Sequence, residues 1–369
     1  MNNKNIIFFM PLMEIGGVEK NLFIISNYLS KKYDNIYICT SSKKYQNRFN
    51  KKIKFLSPKI NLKENLHKRL KFFYCLYLLC IFILNNKNSF VISFQANIYC
   101  VLLCKLLKIN VVIRSNTAPT GWDHGFIKKF FYKLIIKKAD LVITNSIEFK
   151  KIFKKKFNIN SVCIYNPLNK KDIVKLSKQK LNFNFFKKNK KVIKIINIGR
   201  LTEQKDQITI LKAVNILKKK KKKFKLLILG DGTEKQNLKN YIESNNLSKN
   251  VRLIKAQKNP FYLIKNSDVF ILSSKYEGLP NVLLEAAVLK KLIISTGCPT
   301  GPKEILMNGK GGLMYKTGDF EDLAKQIIYF INNKKKINNK VNYAYKNLNR
   351  FDYQKNLEKY FKIIKRYSS

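Results

Sequence analysis

The sequence predicts an α/β protein made of two domains, each built on a doubly wound parallel sheet. Short apolar runs alternate with segments of helical period over almost all of the 369 residues, and this alternation occurs twice. Runs rich in β-branched side chains and separated by helices are typical of parallel strands buried on both faces. With 46% hydrophobic residues, the chain is long enough for two separate cores.

The predicted strands fall into two groups, and each group predicts a Rossmann-like domain. The first group is residues 6–10, 36–39, 90–94, 111–114, 141–144 and 162–165. The second group is residues 193–198, 225–230, 251–254, 268–272 and 292–295. We therefore expect an N-terminal domain at 1–170, a polar linker at 171–191 and a C-terminal domain at 192–352. Helical spacing over 353–369 predicts a last helix that belongs with the N-terminal domain and packs back across both.

The chain is strongly basic, with 74 Lys and Arg against 22 Asp and Glu and a formal net charge of +52. Nucleic acid is the first partner that such a charge suggests. However, only seven of the basic residues are Arg, and the lysines are spread along the whole chain among many asparagines. This distribution indicates a solvated surface set by codon bias, so no nucleic acid is expected as a partner. The same lysines would favour contact with anionic lipid head groups.

The most apolar stretch, residues 72–84, is shorter than the roughly 20 residues that cross a bilayer. It follows a basic segment that includes Lys68, Arg69 and Lys71. Two interpretations stay open, namely a buried core helix and a helix that rests on a membrane surface. The seven cysteines lie in apolar runs without a C-x-x-C pair, which indicates core residues in a reducing compartment.

Ligands of open α/β sheets bind beyond the carboxyl ends of the strands, so the residues that follow each predicted strand are candidates for a site. Gly16 and Gly17 follow the first strand and open a helix. Glycines allow close approach of a ligand to the backbone, and the free N–H groups of a helix start attract anions. A Gly-Gly pair in such a loop is equally compatible with a plain turn.

Arg200 and Lys205 follow the strand at 193–198. An Arg fork and a Lys point charge that converge on one place are suited to binding a diphosphate. After the next strand, Gly230-Asp231-Gly232 forms a tight turn. This turn does not continue as G-x-G-x-x-G, so the fingerprint of a nicotinamide dinucleotide site is absent.

The stretch SSKYEGLPNVLLEAA, residues 273–287, contains Glu277 and Glu285. On one unbroken helix the two would point about 80° apart, but Pro280 favours a helix that starts between them. Glu277 then lies on a loop and Glu285 inside the helix. Carboxylates accept hydrogen bonds from the hydroxyls of a ribose or a hexose, and the helix start between them offers amides for phosphates. The acid and nucleophile of a glycosidase are the competing interpretation, which explains neither the basic pair nor the glycines.

Taken together and in this order, these residues resemble the retaining glycosyltransferases of family 4, which have the GT-B fold. The resemblance covers nearly the full chain. It is carried by Gly16-Gly17, Gly199-Arg200-Leu201 with Lys205, Gly230-Asp231-Gly232, and the E-x7-E motif from Glu277 to Glu285. Residues 114–122, 259–286 and 295–306 further resemble bacterial enzymes that build surface polysaccharides and lipid-linked oligosaccharides. The resemblance implies two Rossmann-like domains that face each other across a cleft.

The resemblance also implies a role for each matching residue. Glu277, Arg200 and Lys205 are the expected catalytic residues, with Glu277 on the donor sugar and the two cations on the diphosphate leaving group. The expected contacts to the donor and its nucleotide are Gly16, Gly17, Gly199, Gly278, Leu279, Asn281, Val282, Glu285 on the ribose, and Leu253 near the base.

Many family members carry a His in the first domain where this chain has Arg114-Ser115-Asn116. Arg114 and Asn116 are therefore expected to contact the acceptor or the donor. His124, eight positions further on, is either a secondary site residue or a surface histidine.

The implied reaction moves a hexose or an N-acetylhexosamine from a nucleotide diphosphate sugar, a UDP-sugar foremost, to a lipid-linked or polysaccharide acceptor. Such enzymes act in the synthesis of O-antigen, capsule or similar surface glycans. They transfer with retention, commonly explained by front-face attack with the leaving phosphate helping to take the proton. The chain has no D-x-D sequence, so no metal and no other cofactor is expected.

The expected location is the cytoplasm, with peripheral attachment to the inner face of a bacterial cytoplasmic membrane. A non-catalytic protein of the same fold that binds a sugar nucleotide is the alternative.

Overall fold

The computed structural model describes residues 4–14, 16–58, 67–116, 126–181, 183–186 and 192–367, with the backbone alone for 126–129. The described strands are β1 (Asn5–Phe9), β2 (Ile36–Cys39), β3 (Lys54–Leu56), β4 (Ser89–Ser93), β5 (Asn110–Ser115), β6 (Leu141–Thr144), β7 (Val162–Cys163), β8 (Ile193–Ile198), β9 (Phe224–Leu229), β10 (Val251–Ile254), β11 (Val269–Leu272), β12 (Leu292–Thr296) and β13 (Leu313–Tyr315). The described α-helices are α1 (Gly17–Leu29), α2 (Lys68–Asn85), α3 (Asn97–Leu106), α4 (Phe126–Ile136), α5 (Ile147–Phe157), α6 (Lys170–Leu176), α7 (Gln207–Lys219), α8 (Lys235–Ser244), α9 (Phe261–Lys265), α10 (Asn281–Val288), α11 (Pro302–Ile305), α12 (Phe320–Asn332), α13 (Lys334–Lys346) and α14 (Tyr353–Tyr367).

The chain divides into two compact units, one of Met1–Pro167 with Tyr353–Ser369 and one of Leu168–Asp352. The described strands of the first unit form a parallel sheet in the order β3-β2-β1-β4-β5-β6-β7, and those of the second follow β10-β9-β8-β11-β12-β13. Both orders reverse once, between β1 and β4 and between β8 and β11. The doubly wound α/β prediction is confirmed, and each reversal is a switch point at which a ligand crevice opens beyond the strand ends.

The central strands read as continuous apolar runs because helices cover both faces of each sheet. In β1, Ile7 and Phe9 pack into the core that includes α2 to α5. The alternate residues Ile6 and Phe8 pack into the core on the other face, which includes α1 and α14. Each of these four side chains is completely buried.

Two strands were not predicted from the sequence, and a helix occupies part of the region where a linker was expected. The strands β3 and β13 have three residues each and lie at sheet edges, too short for a periodic signal. The helix α6 begins at Lys170 and continues into the region expected to be linker. The side chain of Asn169 caps it by accepting the N–H of Asp172 at 3.2 Å, and Ile173 is buried. The expected linker at 171–191 is therefore helical at its start.

The last helix, α14, completes the core of the first unit. Leu357, Tyr360 and Ile364 are buried there. Arg114, at the end of β5, donates from Nε to the hydroxyl of Tyr360 at 2.7 Å and from Nη2 to Oδ1 of Asn166 at 2.6 Å. Burial raises the pKa of Tyr360, so the phenol stays neutral and accepts from the guanidinium.

The expectation that Arg114 contacts a substrate is wrong for this structure. Its side chain is 0% exposed, and its guanidinium lies 5.3 Å from the centre of the Phe94 ring. A strand that ends in a buried arginine looks like a binding site in sequence, whereas here the cation serves to attach the last helix.

No helix within the described residues has the length and apolar content needed to cross a bilayer. The helix α2, which contains the apolar stretch 72–84, buries Cys75, Leu79 and Ile83 against the first unit. The interpretation as a core helix therefore holds for one face of α2. Its other face remains exposed.

Replacing Tyr360 with Phe should destabilise the first unit, because it removes the acceptor of a buried charged donor. We expect the free energy of unfolding to fall by about 1–3 kcal/mol. Urea denaturation followed by circular dichroism measures this. Tyr367→Phe, on the same helix but only partly buried, is the matched control and should change stability by less than about 0.5 kcal/mol. Equal effects of the two changes would contradict a special role for the Arg114 contact.

Candidate active site

The switch point of the second sheet opens between β8 and β11. The two strands pair only through Ile195 with Val269 and Ile196 with Phe270, whereas β8 pairs with β9 as far as Ile198. Beyond the last pair, the buried side chain of Asn197 donates from Nδ2 to the carbonyl of Ile271 at 2.9 Å. The strands diverge here, and the loops that follow them border the crevice.

An ion pair between Lys205 and Glu277 joins these two loops. The Nζ of Lys205 contacts Oε1 of Glu277, and the side chains are only 18% and 8% exposed. The hydroxyl of Ser274 donates to the same Oε1 at 2.6 Å. Among the described residues, Oε2 of Glu277 has no hydrogen-bond partner. The carboxylate is therefore held by one oxygen while the other remains able to accept a hydroxyl.

Further hydrogen bonds fix the two loops in register. The hydroxyl of Ser273 donates to the carbonyl of Lys205 at 2.6 Å, and the amide N–H of Lys275 donates to the carbonyl of Gln204 at 2.8 Å. The side chain of Gln204 returns a bond from Nε2 to the carbonyl of Tyr276 at 2.9 Å. Because backbone groups on both loops take part, the separation of Lys205 and Glu277 does not depend on their own flexible side chains.

Arg200 lies on the first of these loops with an exposed side chain. The Nε2 of Gln207 donates to its carbonyl at 2.9 Å. Lys205 follows five residues later, so both predicted cations occupy the loop that leaves β8. The structure thus brings Arg200, Lys205 and Glu277 to the same switch point, as their positions after β8 and β11 predict.

The Gly230-Asp231-Gly232 turn packs directly against the backbone of the Arg200 loop. A Cβ on Gly230 would lie 1.9 Å from the carbonyl oxygen of Gly199, and one on Gly232 would lie 2.2 Å from that of Leu201. The amide of Leu201 donates to the carbonyl of Asp231 at 2.9 Å. Both glycines are therefore needed because the two loops touch backbone to backbone.

The helix α10 begins at the carboxyl end of β11, with Asn281 and Val282 half-buried in its first turn. Pro280 precedes the helix in an extended conformation, with ψ at 108°, and so stands one position earlier than a first-turn proline. No acidic residue lies in the first turn and no side chain caps it. A helix start of this kind carries partial positive charge. Glu285 lies further along α10 and is 6% exposed.

Thr300 and Gly301 hold the backbone that carries Glu277, although neither is among the residues predicted for the site. The hydroxyl of Thr300 donates to the carbonyl of Glu277 and, at 3.3 Å, to that of Gly278. Gly301 has φ +44°, and a Cβ there would lie 2.0 Å from the carbonyl oxygen of Gly278. Both residues lie in 295–306, one of the stretches that resemble bacterial glycan-building enzymes. That resemblance was the only feature of the sequence that could have pointed to them.

Burial changes the ionisation of two groups near this crevice. It raises the pKa of Asp206, which directly follows Lys205 and accepts from the hydroxyl of Thr209 at 2.7 Å. It also raises the pKa of Tyr315 well above its ordinary value, so the phenol stays neutral and donates to the carbonyl of Leu272 at 3.1 Å. Tyr315 therefore fastens the end of β11 as a neutral hydrogen-bond donor.

Gly16 and Gly17 lie at the start of α1 in the first unit. Gly16 is extended, with φ −157°, and precedes the helix. The carboxylate of Glu19 lies over this loop, accepts from the amide of Glu14 at 3.2 Å and would meet a Cβ on Gly16 at 2.7 Å. Since this helix start already carries a buried acid, the local charge disfavours a phosphate and favours a hydroxyl-bearing ligand.

The remaining predicted residues lie on other elements of the fold. Asn116, after β5 in the first unit, donates from Nδ2 to the carbonyls of Phe94 at 2.9 Å and of Arg114 at 3.3 Å, which fastens the strand ends. Leu253 lies on the edge strand β10, two strands from β8, and packs against the core. This packing does not favour the expected contact with a base. His124 lies outside the described residues.

The described residues contain no group of three or more His, Cys, Asp or Glu side chains arranged to hold a metal ion.

Comparison with known proteins identifies the domain that contains this crevice. Residues 178–347 match the family described as "Glycosyl transferases group 1". The match lies within the second unit, Leu168–Asp352, and covers a little under half of the chain.

Proteins named as glycosyltransferases match the chain over longer stretches. An uncharacterised glycosyltransferase of Methanocaldococcus jannaschii is 33% identical over 56% of this chain and 53% of its own length, so the chain spans about half of that relative. A Campylobacter jejuni enzyme is 25% identical over 97% of this chain and 98% of its own. Its name is GalNAc-alpha-(1->4)-GalNAc-alpha-(1->3)-diNAcBac-PP-undecaprenol alpha-1,4-N-acetyl-D-galactosaminyltransferase.

A solved structure is similar to this one over both units. Anabaena HepE, solved in complex with UDP, superposes with a TM-score of 0.77 at 16% identity, covering 98% of this chain and 100% of its own. At this identity the likeness shows the fold alone. The chain has the GT-B fold, and the residues that match the family lie in its second Rossmann-like unit.

Replacing Gly230 with Ala should push the Arg200 loop out of place, because the new methyl group would overlap the carbonyl of Gly199. We expect the free energy of unfolding to fall by about 1–3 kcal/mol, as for other overpacked sites. Gly297→Ala is the matched control, since its Cβ would meet its nearest atom at an ordinary 3.5 Å. Thermal unfolding compares the two, and a Gly230 variant as stable as the Gly297 variant would contradict the close contact.

Proposed function

We propose that this chain is a glycosyltransferase that moves a hexose or an N-acetylhexosamine from a UDP-sugar to a lipid-linked or polysaccharide acceptor. The acceptor belongs to the synthesis of a cell-surface glycan such as an O-antigen or a capsule. The observation that carries the proposal is the buried Lys205–Glu277 pair at the switch point of the glycosyltransferase domain.

Lys205 and Arg200 are proposed to bind the diphosphate of the donor. When the bond between the anomeric carbon and the phosphate oxygen breaks, negative charge grows on that oxygen. Cations and helix amides already in place stabilise this charge more than they stabilise the bound substrate, which lowers the barrier. The uncapped start of α10, with Asn281 and Val282 in its first turn, supports a second phosphate contact.

Glu277 is proposed to orient the donor sugar through Oε2, the oxygen that has no partner among the described residues. Its Oε1 is engaged by Lys205 and Ser274. The acceptor hydroxyl forms the new bond to the anomeric carbon, and its proton passes to the leaving phosphate oxygen. Such front-face attack retains the anomeric configuration and needs no base from the protein.

The comparisons support the proposed nucleotide and acceptor. Anabaena HepE, which shares the fold, was solved with UDP, and this supports UDP as the nucleotide, with Glu285 on its ribose. The Campylobacter jejuni relative is named for a PP-undecaprenol substrate, and this supports an acceptor carried on a lipid diphosphate. A lipid-linked acceptor would bring the enzyme to the cytoplasmic face of the membrane as a peripheral protein. Arg200, Lys205 and the start of α10 supply positive charge for the leaving group, so we propose that no metal is required.

Glu277→Gln should lower the rate of sugar transfer by about 100-fold or more, because it removes the charge that holds both the sugar and Lys205. Glu203→Gln is the matched control. Glu203 pairs with Lys275 on the same two loops, but the two side chains are 85% and 44% exposed. Water screens that pair, so its loss should change the rate by less than about twofold. Full activity of the Glu277 variant, with unfolding unchanged in both, would refute the assignment.

A panel of UDP-sugars and GDP-sugars, assayed for transfer to a polyprenyl-diphosphate saccharide in the presence of EDTA, tests the reaction class. We expect turnover with a UDP-sugar, no loss of rate with EDTA, and an α-linked product from an α-linked donor by NMR. A rate restored only by added Mg²⁺ or Mn²⁺ would overturn the metal-free mechanism. Binding of UDP by calorimetry without turnover on any donor would favour the non-catalytic alternative.

A further inference from the structure

The helix α2 has two apolar faces, of which the core uses only one. Cys75, Leu79 and Ile83 are buried. At helical spacing on the opposite side lies an exposed stripe. Its members are Leu70, Phe73, Tyr74, Tyr77, Ile81 and Leu84, between 37% and 58% exposed. A helix that is apolar all round belongs in a fully buried position, yet this one lies at the surface of the first unit.

Two neighbouring helices extend the exposed stripe into a continuous surface. The ring of Tyr99 on α3 lies 6.0 Å from that of Phe73 on α2, and α3 in turn packs against α4. We call the whole surface the aromatic face. Its further members are Tyr99, Leu102 and Leu106 on α3 and Phe130, Phe131 and Leu134 on α4, all at least 37% exposed. Exposed apolar surfaces of this extent mark interaction sites.

The charged side chains on the three helices of the aromatic face are of one sign. None of α2, α3 and α4 contains an Asp or a Glu. The described basic side chains near the face are Lys68, Arg69 and Lys71 at the start of α2, Lys105 and Lys108 at the end of α3, and Lys133, Lys137 and Lys138 in and after α4. Of these, Lys105 is paired with Asp140 and Lys68 with Glu14. The partner of this face must therefore be apolar at its centre and anionic at its surface.

We propose that the aromatic face docks on the surface of an anionic lipid bilayer. The aromatic and aliphatic side chains enter the head-group layer, and the basic rim lies against the lipid phosphates. The rings of Phe and Tyr are apolar and suit the head-group layer, where the polar hydroxyl of Tyr can reach water. The inference rests on the proposed function in one respect: a lipid-linked acceptor requires the enzyme to reach a bilayer.

A second copy of the chain suits the face less well. Two such faces packed against each other would bring two basic rims together without an acid on these helices to separate them, and like charges across an interface disfavour association. The anionic bilayer satisfies both the apolar centre and the charge of the rim.

The test measures binding of the full-length protein to liposomes, with neither donor nor acceptor present. The wild type should co-sediment with vesicles that contain phosphatidylglycerol, and much less with phosphatidylcholine alone or at high salt. Phe73→Ser with Phe131→Ser should lower this binding about tenfold or more. The matched control is Tyr329→Ser with Tyr343→Ser, which removes two exposed rings from the second unit and should leave binding unchanged.

A charge-matched pair of variants tests the basic rim in the same assay. Arg69→Glu with Lys137→Glu should abolish the preference for phosphatidylglycerol, whereas Lys335→Glu with Lys336→Glu, the same change of charge on exposed residues of α13, should retain most of it. Equal losses in the two pairs would mean that net charge alone attracts the lipid, and would overturn the proposal. So would liposome binding that the aromatic variant retains in full.

Two further readouts separate this inference from its rivals and from the proposed function. If sedimentation velocity finds a wild-type dimer that the aromatic variant converts to a monomer, the face joins two copies and the membrane proposal fails. Transfer to a water-soluble acceptor should be equal in the wild type and the aromatic variant. If the wild type transfers no sugar to the water-soluble acceptor, the proposed reaction is refuted. The liposome binding would still decide whether the aromatic face is the docking surface.

Discussion

One largely buried ion pair in the second unit, between Lys205 and Glu277, joins loops that are 72 residues apart in the chain. A lone Lys205 or a lone Glu277 at this depth would lose hydration without compensation, so each charge depends on the other. The surrounding hydrogen bonds from Ser273, Ser274 and Gln204 act on the same two loops. The crevice opens where β8 and β11 diverge. The Lys205–Glu277 ion pair fixes the two loops that border this crevice.

This arrangement also explains why a chain with so few acids has one here. On a surface with a net charge of +52, an anionic ligand would be attracted almost anywhere, and attraction alone would not orient it. The carboxylate of Glu277 neutralises the charge of Lys205 and fixes the position of its ammonium group. Its second oxygen remains able to accept a hydrogen bond from a neutral hydroxyl. In the proposed function, the orientation of the donor therefore depends on Glu277 as well as on the lysines.

Much of the fold and part of the site could be predicted from the sequence. The buried runs of β8 and β11 set the sheet, and residues after neighbouring parallel strands must meet at one edge, which correctly placed Arg200, Lys205 and Glu277 together. The predictions failed where an outcome depends on contacts distant in sequence. Arg114 was expected to be a ligand contact from its place in the family pattern, and its actual partners, Tyr360 and Asn166, are 246 and 52 residues away in the chain.

The same limit applies to the loops that support the site. Gly230 and Gly301 are required by carbonyl groups of Gly199 and Gly278 that come close only after folding. The short edge strands β3 and β13 are formed by pairing with a neighbour and have no periodicity of their own. An apolar residue such as Leu253 is equally suited to contact with a base and to packing against a core. The structure shows that it packs against the core of the second unit.

The return of α14 to the first unit has a consequence for the order of folding during synthesis. Leu357, Tyr360 and Ile364 complete a core whose other members lie within the first 167 residues. The ribosome releases the N-terminal residues first, but their core lacks one side until the last helix has emerged. The second unit, continuous in sequence, can close earlier. Until then, buried Arg114 has no Tyr360 to accept its hydrogen bond, so the first unit would be the part that most needs protection by a chaperone on the nascent chain.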